Sequence, residues 1–314
     1  MKSKIFILII VLSSTIYSVA QTIQKGPYTV TVIDDGVFHI EDGNDSNPPG
    51  LVLGDDGKLI SMNNCSDMYL IVGTEKALLI DLSNNVKWDE SAVESLRSIV
   101  YDRAGNKDFF ITVTHNHGDH LGMLPAFAND NKVRFWIPKA EFEGRQIFPN
   151  DRTTYFNENE SLNMGSGSMI KTFEVPGHTA HSTLFFLKEK NVVFTGDAIG
   201  SGTGVWLFNE ESFTAYKKSI DKLVAYIENP ENGINLERLQ IFGGHYWQGR
   251  QLGKLTSQYI YDMQTLIEEI GKGTAKMEDY TAQFPFLNAN FKYGTATITW
   301  NKEAAQKYAT SLKN

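Results

Sequence analysis

The feature that most constrains this chain is a run of six residues carrying three imidazoles and one carboxylate. This hexad, His115-Asn116-His117-Gly118-Asp119-His120, directly follows the apolar stretch 109–113 and holds three of the chain's seven histidines. Nitrogen and oxygen donors at this density suit a borderline divalent cation such as zinc. A packed core does not explain them, because an imidazole buried without a partner costs stability. We therefore predict a metal-binding turn at the end of a strand.

Three later polar residues extend the hexad. His178, Asp197 and His245 each come directly after a glycine, close to the end of a predicted strand. Glycine fits a backbone that turns sharply on leaving a sheet or that approaches a ligand closely. One such residue is weak evidence, but all three together with the hexad indicate one shared site.

Strand and helix patterns alternate along the chain without a low-complexity linker. Short apolar runs bounded by turn residues predict strands at 28–33, 37–40, 68–72, 77–81, 109–113, 169–175, 183–187, 192–195 and 239–242. Apolar residues at helical spacing predict helices at 88–103, 213–227, 252–270 and 304–312. Two β-rich halves with helices outside them argue for one layered α/β domain.

The first twenty residues have the pattern of a signal peptide. Lys2 and Lys4 precede an apolar run at 5–12, and small residues at 18–20 predict cleavage before Gln21. The run is shorter than the roughly 20 residues that span a bilayer, so we expect no stable membrane anchor after cleavage. We therefore predict an exported protein, periplasmic or extracellular.

Charge and cysteine content limit the partners. The formal net charge of −8 disfavours nucleic acid and anionic membrane surfaces, which leaves a small-molecule substrate as the expected partner. The lone Cys65 excludes an intramolecular disulfide, and we interpret it as a buried spectator thiol. The oligomeric state stays open.

The order His-x-His-x-Asp-His, Gly-His, Gly-Asp, Gly-His resembles the metallo-β-lactamase superfamily, with matching motifs from about Tyr69 to His245. The resemblance implies an αββα sandwich of α/β (α+β) class, with residues 21–314 as a single hydrolase domain and a metal site at one edge of the two sheets. By the same resemblance, one metal would be held by His115, His117 and His178. The second would be held by Asp119, His120 and His245, with Asp197 bridging both. Asp81 occupies the place of an aspartate that braces the metal loop.

The resemblance implies two Zn²⁺ ions, with Mn or Fe as alternative metals. Two cations would lower the pKa of a water between them and so provide a nucleophile at neutral pH. We expect Asp119 to orient that hydroxide.

Particular residues favour some branches of the superfamily over others. Asp197 stands where some β-lactamases carry a cysteine ligand, and zinc β-lactamases lack the bridging aspartate. His117 stands where the diiron branch has glutamate, and Gly200 where quorum-quenching lactonases have tyrosine. What remains resembles the glyoxalase II, lactonase and phosphodiesterase-like members. Hydrolysis of an ester, thioester or lactone is the first choice, a phosphodiester or β-lactam is the alternative, and a metal-binding or partner-binding module is the non-enzymatic rival.

Residues beside the motifs suggest how a substrate is bound. His181 replaces a glycine that many members carry, and it is either a surface or strand-start imidazole, or a catalytic residue that contacts the substrate or donates a proton to the leaving group. Trp206, Tyr246 and Trp247 adjoin predicted ligands, so we predict that they line the substrate pocket. We interpret Phe208 as a packing residue. The aromatic residues indicate a substrate with an apolar or ring portion.

Overall fold

A computed structural model describes residues 22–43, 50–53, 59–63, 65–200, 204–245, 255–280 and 284–313. In these residues two large β-sheets face each other and helices cover their outer faces. The predicted signal peptide, Tyr246 and Trp247 lie outside the described residues.

The first sheet has eight strands in the order β1-β2-β3-β6-β7-β8-β9-β10. The strands are β1 (Thr22–Lys25), β2 (Tyr28–Asp34), β3 (Val37–Asp42), β6 (Asp67–Val72), β7 (Lys76–Ile80), β8 (Asp108–Thr112), β9 (Val133–Pro138) and β10 (Thr153–Phe156). Strands β7 to β10 run parallel, and the pairs before them are antiparallel. A separate hairpin pairs β4 (Gly50–Leu53) with β5 (Leu59–Asn63).

The second sheet has six strands in the order β11-β12-β13-β14-β16-β17. They are β11 (Ser161–Gly165), β12 (Ser168–Glu174), β13 (Thr183–Leu187), β14 (Val192–Gly196), β16 (Gln240–Gly243) and β17 (Leu255–Thr256). Only the β14–β16 pair is parallel among these described strands.

A small third sheet has the order β15-β20-β19-β18. Its strands are β15 (Val205–Trp206), β18 (Lys276–Asp279), β19 (Ala289–Tyr293) and β20 (Ala296–Trp300). Strand β15 lies parallel to β20, so the segment after Asp197 is tied to the C-terminal part of the chain.

The α-helices are α1 (Ala92–Ala104), α2 (Pro125–Ala128), α3 (Glu210–Glu228), α4 (Ser257–Lys272) and α5 (Lys302–Ser311). Short 3₁₀ turns occur at Gly118–His120, Asn150–Arg152, Lys188–Lys190 and Pro230–Asn232. Helix α3 illustrates how local sequence sets these bounds. The Asn209 side chain accepts from the Ser212 backbone N–H at 2.8 Å, and Glu210 and Glu211 complement the N-terminal dipole.

Three apolar layers give the order helix, sheet, sheet, helix. Between the sheets, Ile80 and Trp136 of the first sheet pack in one cluster with Phe185 and Phe194 of the second. Helix α1 covers the first sheet, whereas α3, α4 and the third sheet cover the second. The predicted αββα architecture is therefore confirmed.

The four predicted helices are present with shifted ends. The helix predicted at 252–270 begins at Ser257, because Leu255 and Thr256 pair with β16 instead. The sequence patterns do not predict β1, β4, β5, β9 to β11, β17 or the third sheet, since their alternation is weak or their partners lie far away in sequence. In the described part of the chain, no helix combines the length and apolarity that a membrane crossing requires.

Candidate metal centre

The ends of five strands meet at one edge of the sandwich and carry the predicted site residues. Asp81 follows β7, the hexad begins three residues after β8, His178 lies beyond β12, Asp197 follows β14, and His245 lies just beyond β16. The first sheet thus supplies Asp81 and the hexad, and the second sheet supplies the other three residues.

Two of the glycines before the site residues are required by close approach. Gly196 has φ +49°, and a Cβ there would collide with the Thr114 side chain. A Cβ at Gly244 would collide with Asp197 and would lie 2.6 Å from His120 Cε1. A side chain at position 244 would therefore intrude on the centre, and one at position 196 would displace Thr114, directly before the hexad.

A first quartet consists of His115, His117, His178 and Asp197. One ligand atom from each lies within 4.8 Å of all the others, which one cation could span. His178 Nε2 lies 3.0 Å from His117 Nδ1 and 3.5 Å from Asp197 Oδ2.

A second quartet consists of Asp119, His120, Asp197 and His245, again within 4.8 Å of one another. His245 Nε2 lies 3.2 Å from Asp197 Oδ2 and 3.4 Å from Asp119 Oδ2, and His120 Nε2 lies 3.3 Å from Asp197 Oδ1. Asp197 belongs to both quartets, as a bridging ligand would.

The outward-facing ring nitrogens are held by the protein. Nδ1 of His178 donates to the Trp206 carbonyl at 3.1 Å, and Nδ1 of His245 donates to the Cys65 carbonyl at 2.5 Å. His120 Nδ1 lies 3.0 Å from Asp81 Oδ2. Such bonds fix the orientation of a ligating imidazole and leave Nε2 facing inward.

Two inward-facing nitrogens show that the residues fit a metal. Nε2 of His115 is buried without a hydrogen-bond partner, and Nε2 of His120 is buried with only the Asp197 carboxylate facing it at 3.3 Å. An orphaned buried nitrogen is costly, and coordination to a cation would satisfy both atoms. The set of imidazoles and carboxylates is also the donor chemistry that zinc binds.

Asp81 is buried and connects Thr114, directly before the hexad, with His120 at the end of the hexad. Its Oδ1 accepts from the Thr114 backbone N–H at 2.7 Å, and its Oδ2 accepts from the Thr114 hydroxyl at 2.8 Å and from His120. Asp81 itself has φ +63°, a conformation that aspartate tolerates better than most residues.

The imidazoles of the first quartet are held neutral. Burial lowers the pKa of His115 well below its usual value and lowers the pKa of His178 to about 4. Burial lowers the pKa of His117 as well. Neutral imidazole is the form that binds a metal, so these residues need not lose a proton near neutral pH.

The second quartet is an ionic cluster. Burial alone would raise the pKa of Asp197, but the neighbouring His245 and His120 outweigh it and hold that pKa well below its usual range. Burial likewise opposes protonation of His120 and His245, and Asp197 outweighs it, so both pKa values are raised. A cation entering here would replace protons as the positive charge.

Sequence reasoning missed Glu141. Its Oε1 accepts from the Asn116 backbone N–H at 2.9 Å, and its Oε2 accepts from the His181 backbone N–H at 2.9 Å. The side chain is buried, and burial raises its pKa. Glu141 thus connects the hexad loop with the loop that carries His178. Nothing in the local sequence separates it from the exposed Glu143.

His181 stands apart from both quartets. Its side chain is 42 % exposed, and its Nδ1 lies 3.6 Å from Glu174 Oε2, beyond hydrogen-bond distance. A role for His181 in proton transfer stays a prediction.

Phe208 packs directly beside the first quartet. Its ring lies 5.5 Å from the His178 ring and 5.9 Å from the His117 ring, centroid to centroid. Trp206 is half-buried and contributes its carbonyl to His178, which leaves the predicted pocket role of its side chain untested.

The αββα sandwich and the centre rich in histidine and aspartate at its edge together indicate a metal-binding protein. The family model of the metallo-beta-lactamase superfamily matches residues 66–231, more than half of the chain, and the chain therefore belongs to that superfamily. Its members are generally hydrolases and bind metal ions.

Several curated proteins are similar in sequence. A beta-lactamase-like protein 2 homolog of Caenorhabditis elegans is 24 % identical over 219 residues, covering 69 % of this chain and 68 % of its own. An atrochrysone carboxyl ACP thioesterase of Claviceps purpurea is 30 % identical over 42 % of this chain and 40 % of its own. A hydroxyacylglutathione hydrolase of Brucella anthropi is 34 % identical over 37 % of this chain and 42 % of its own. The chain thus spans less than half the length of the latter two.

Solved structures support the fold. A metallo-β-lactamase from Erythrobacter litoralis has a TM-score of 0.54 at 18 % identity, covering 79 % of this chain and 100 % of its own. One from Pontibacter korlensis has a TM-score of 0.54 at 16 % identity, covering 77 % and 99 %.

Proposed function

We propose that this protein is a dizinc hydrolase that cleaves an ester, thioester or lactone. The observation that carries the proposal is the position of Asp197 in both quartets, each of which is compact enough for one cation. A carboxylate shared by two such sites would offset part of the repulsion between two dications.

The first quartet would hold one zinc ion and the second quartet the other. When bound, the two ions would supply a hydroxide at neutral pH and polarise the carbonyl of the substrate. Asp119, whose Oδ2 lies 3.4 Å from His245 Nε2, would orient that hydroxide and hold its proton. The added water yields a carboxylic acid, while the C–O or C–S bond breaks and the alcohol or thiol leaves with a proton.

Two relatives support an acyl substrate. One is named a thioesterase and another a hydrolase of hydroxyacylglutathione, so both names describe attack of water on an acyl compound. Zinc β-lactamases lack a bridging aspartate, so the presence of Asp197 also favours an ester, thioester or lactone substrate over a β-lactam.

Metal content and a substrate panel test the proposal. Purified protein should hold two equivalents of zinc and hydrolyse a thioester, ester or lactone faster than phosphodiesters or cephalosporins, with loss of turnover on chelation. Asp197→Asn should lower the bound zinc and abolish turnover. The matched control is Asp262→Asn, which removes a buried carboxylate of helix α4 that accepts from the Thr295 backbone N–H between β19 and β20. It should keep both ions.

Other outcomes would contradict the proposal. Two equivalents of zinc without turnover on any substrate would favour the metal-binding or partner-binding module. Bound iron with consumption of oxygen would exclude the hydrolase.

We also propose that the protein is exported after cleavage before Gln21, on the pattern of its first twenty residues. Expression of the full chain should give a secreted or periplasmic form whose N-terminal sequence begins at that residue. Retention of the full-length chain in the cytoplasm would contradict export.

A further inference from the structure

Three phenylalanines from distant parts of the chain form one surface beside the candidate metal centre. This aromatic wall consists of Phe208, which follows β15, and of Phe284 and Phe286, which lie between β18 and β19. Phe284 and Phe286 stack at 5.5 Å, and Phe208 lies 6.2 Å and 6.3 Å from them. Two of the three residues come from beyond the segment that matches the superfamily model.

The wall reaches the first quartet directly. The Phe208 ring contacts the rings of His117 and His178 at centroid distances of 5.9 Å and 5.5 Å. A group attached to a carbonyl at this centre would therefore meet the wall within a few bond lengths.

The wall is held in place by the small third sheet. Leu287 is fully buried, and its N–H donates to the Phe284 carbonyl at 2.9 Å. The Asn301 side-chain amide donates to the Phe286 carbonyl at 3.2 Å. On the other side, the Leu207 N–H donates to the Thr299 carbonyl at 3.0 Å, which places Phe208. Pro285 stiffens the backbone between the two stacked rings.

The wall remains partly open to solvent. Phe286 is 45 % exposed, and Phe208 and Phe284 are half-buried. In the described part of the chain, the cations that lie over aromatic rings pair with other rings, so the wall presents uncharged ring faces and edges. Such a surface binds a flat apolar group through offset or edge-to-face contacts.

We infer that the aromatic wall binds the acyl portion of the substrate and selects aromatic acyl groups over small ones. This inference rests on the proposed function for its reaction. The wall itself determines specificity and takes no part in bond cleavage.

Two thioesters with one leaving group test the inference, namely the acetyl and 2-naphthoyl thioesters of N-acetylcysteamine. Wild-type protein should prefer the naphthoyl compound, and Phe286→Ala should raise the KM for the naphthoyl compound about ten times more than the KM for the acetyl compound. The matched control is Tyr293→Ala, which removes an aromatic residue of similar exposure (39 %) at the far end of β19. It should change neither KM.

Binding without turnover separates this inference from the proposed function. Chelator-treated, metal-free protein should bind 2-naphthoate more tightly than acetate in calorimetry, and Phe286→Ala should remove that difference while Phe286→Leu weakens it. Absence of turnover with this binding pattern intact would contradict the hydrolase but leave the wall. Equal effects of Phe286→Ala on acetyl and naphthoyl substrates, or naphthoate binding no tighter than acetate, would overturn the wall.

Discussion

The imidazole Nδ1 of His178 donates a hydrogen bond to the main-chain carbonyl of Trp206 at 3.1 Å. Trp206 belongs to β15, which pairs with β20 of the small third sheet. The orientation of one predicted metal ligand therefore depends on the C-terminal part of the chain, about 120 residues further along the sequence.

Because the orientation of His178 depends on the pairing of β15 with β20, a methyl group added at Gly204 should disturb the metal centre. Gly204 has φ +122°, and a Cβ there would lie 2.5 Å from the Thr297 carbonyl oxygen, so Gly204→Ala should push β15 away from β20. We expect weaker zinc binding at the first quartet and a loss of about 1–3 kcal/mol in stability. Zinc titration against a competing chelator and thermal denaturation measure the two effects. Gly144→Ala, at φ +74° in open space, is the control and should leave zinc affinity unchanged.

Replacement of Asp81 by asparagine should weaken the second quartet. The substitution keeps the size and the left-handed backbone but removes the charge that faces His120 Nδ1. Loss of such a partner lowers metal affinity by about 10–100-fold, which zinc titration would detect as one weakened site. Asp108→Asn, at the exposed start of β8, should bind zinc as the wild type does. Unchanged affinity in Asp81→Asn would mean that Asp81 shapes the loop only through Thr114.

Glu141→Gln should loosen the connection between the hexad loop and the His178 loop. Both carboxylate oxygens accept backbone N–H groups, and the amide of glutamine can offer an acceptor to only one of them. A buried N–H left without a partner costs about 1–3 kcal/mol, which chemical denaturation would measure. Glu143→Gln, two residues away and exposed, should be neutral. Equal stability of the two variants would contradict this role.

Asp130 should give the protein an acid-labile contribution to stability. Burial tends to raise its pKa, but the Lys132 N–H, the Tyr101 hydroxyl and Arg97 together lower it below the usual 3.8. Because the folded pKa is depressed, the stabilisation is present above the unfolded pKa and is lost as the pH falls through the folded pKa. Asp130→Asn should therefore be less stable than wild type by about 1–3 kcal/mol at pH 7. The gap should shrink progressively below pH 3.8. A gap in the unfolding free energy that does not change with pH would contradict this account.

The sequence was most informative where chemistry and local backbone coincide. The hexad, and the glycines before Asp197 and His245, could be read as one site because each stands at the end of an apolar run. Glu141 could not be found this way, since its role comes from accepting two distant backbone N–H groups. Phe284 and Phe286 could not be placed either, because they reach Phe208 only through the parallel pairing of β15 with β20. That pairing joins segments about 90 residues apart, and no local pattern encodes it.

The division of the centre between the two sheets has a mechanical consequence. The hexad extends from the first sheet, whereas His178, Asp197 and His245 extend from the second, with mainly apolar side chains between the sheets. A cation bound to residues of both sheets would cross-link the two sheets at this edge of the sandwich. Separating the two sheets at this edge would then require breaking coordination bonds. Protection of the backbone amides of β8 and β14 against hydrogen exchange should therefore increase together as zinc occupancy increases.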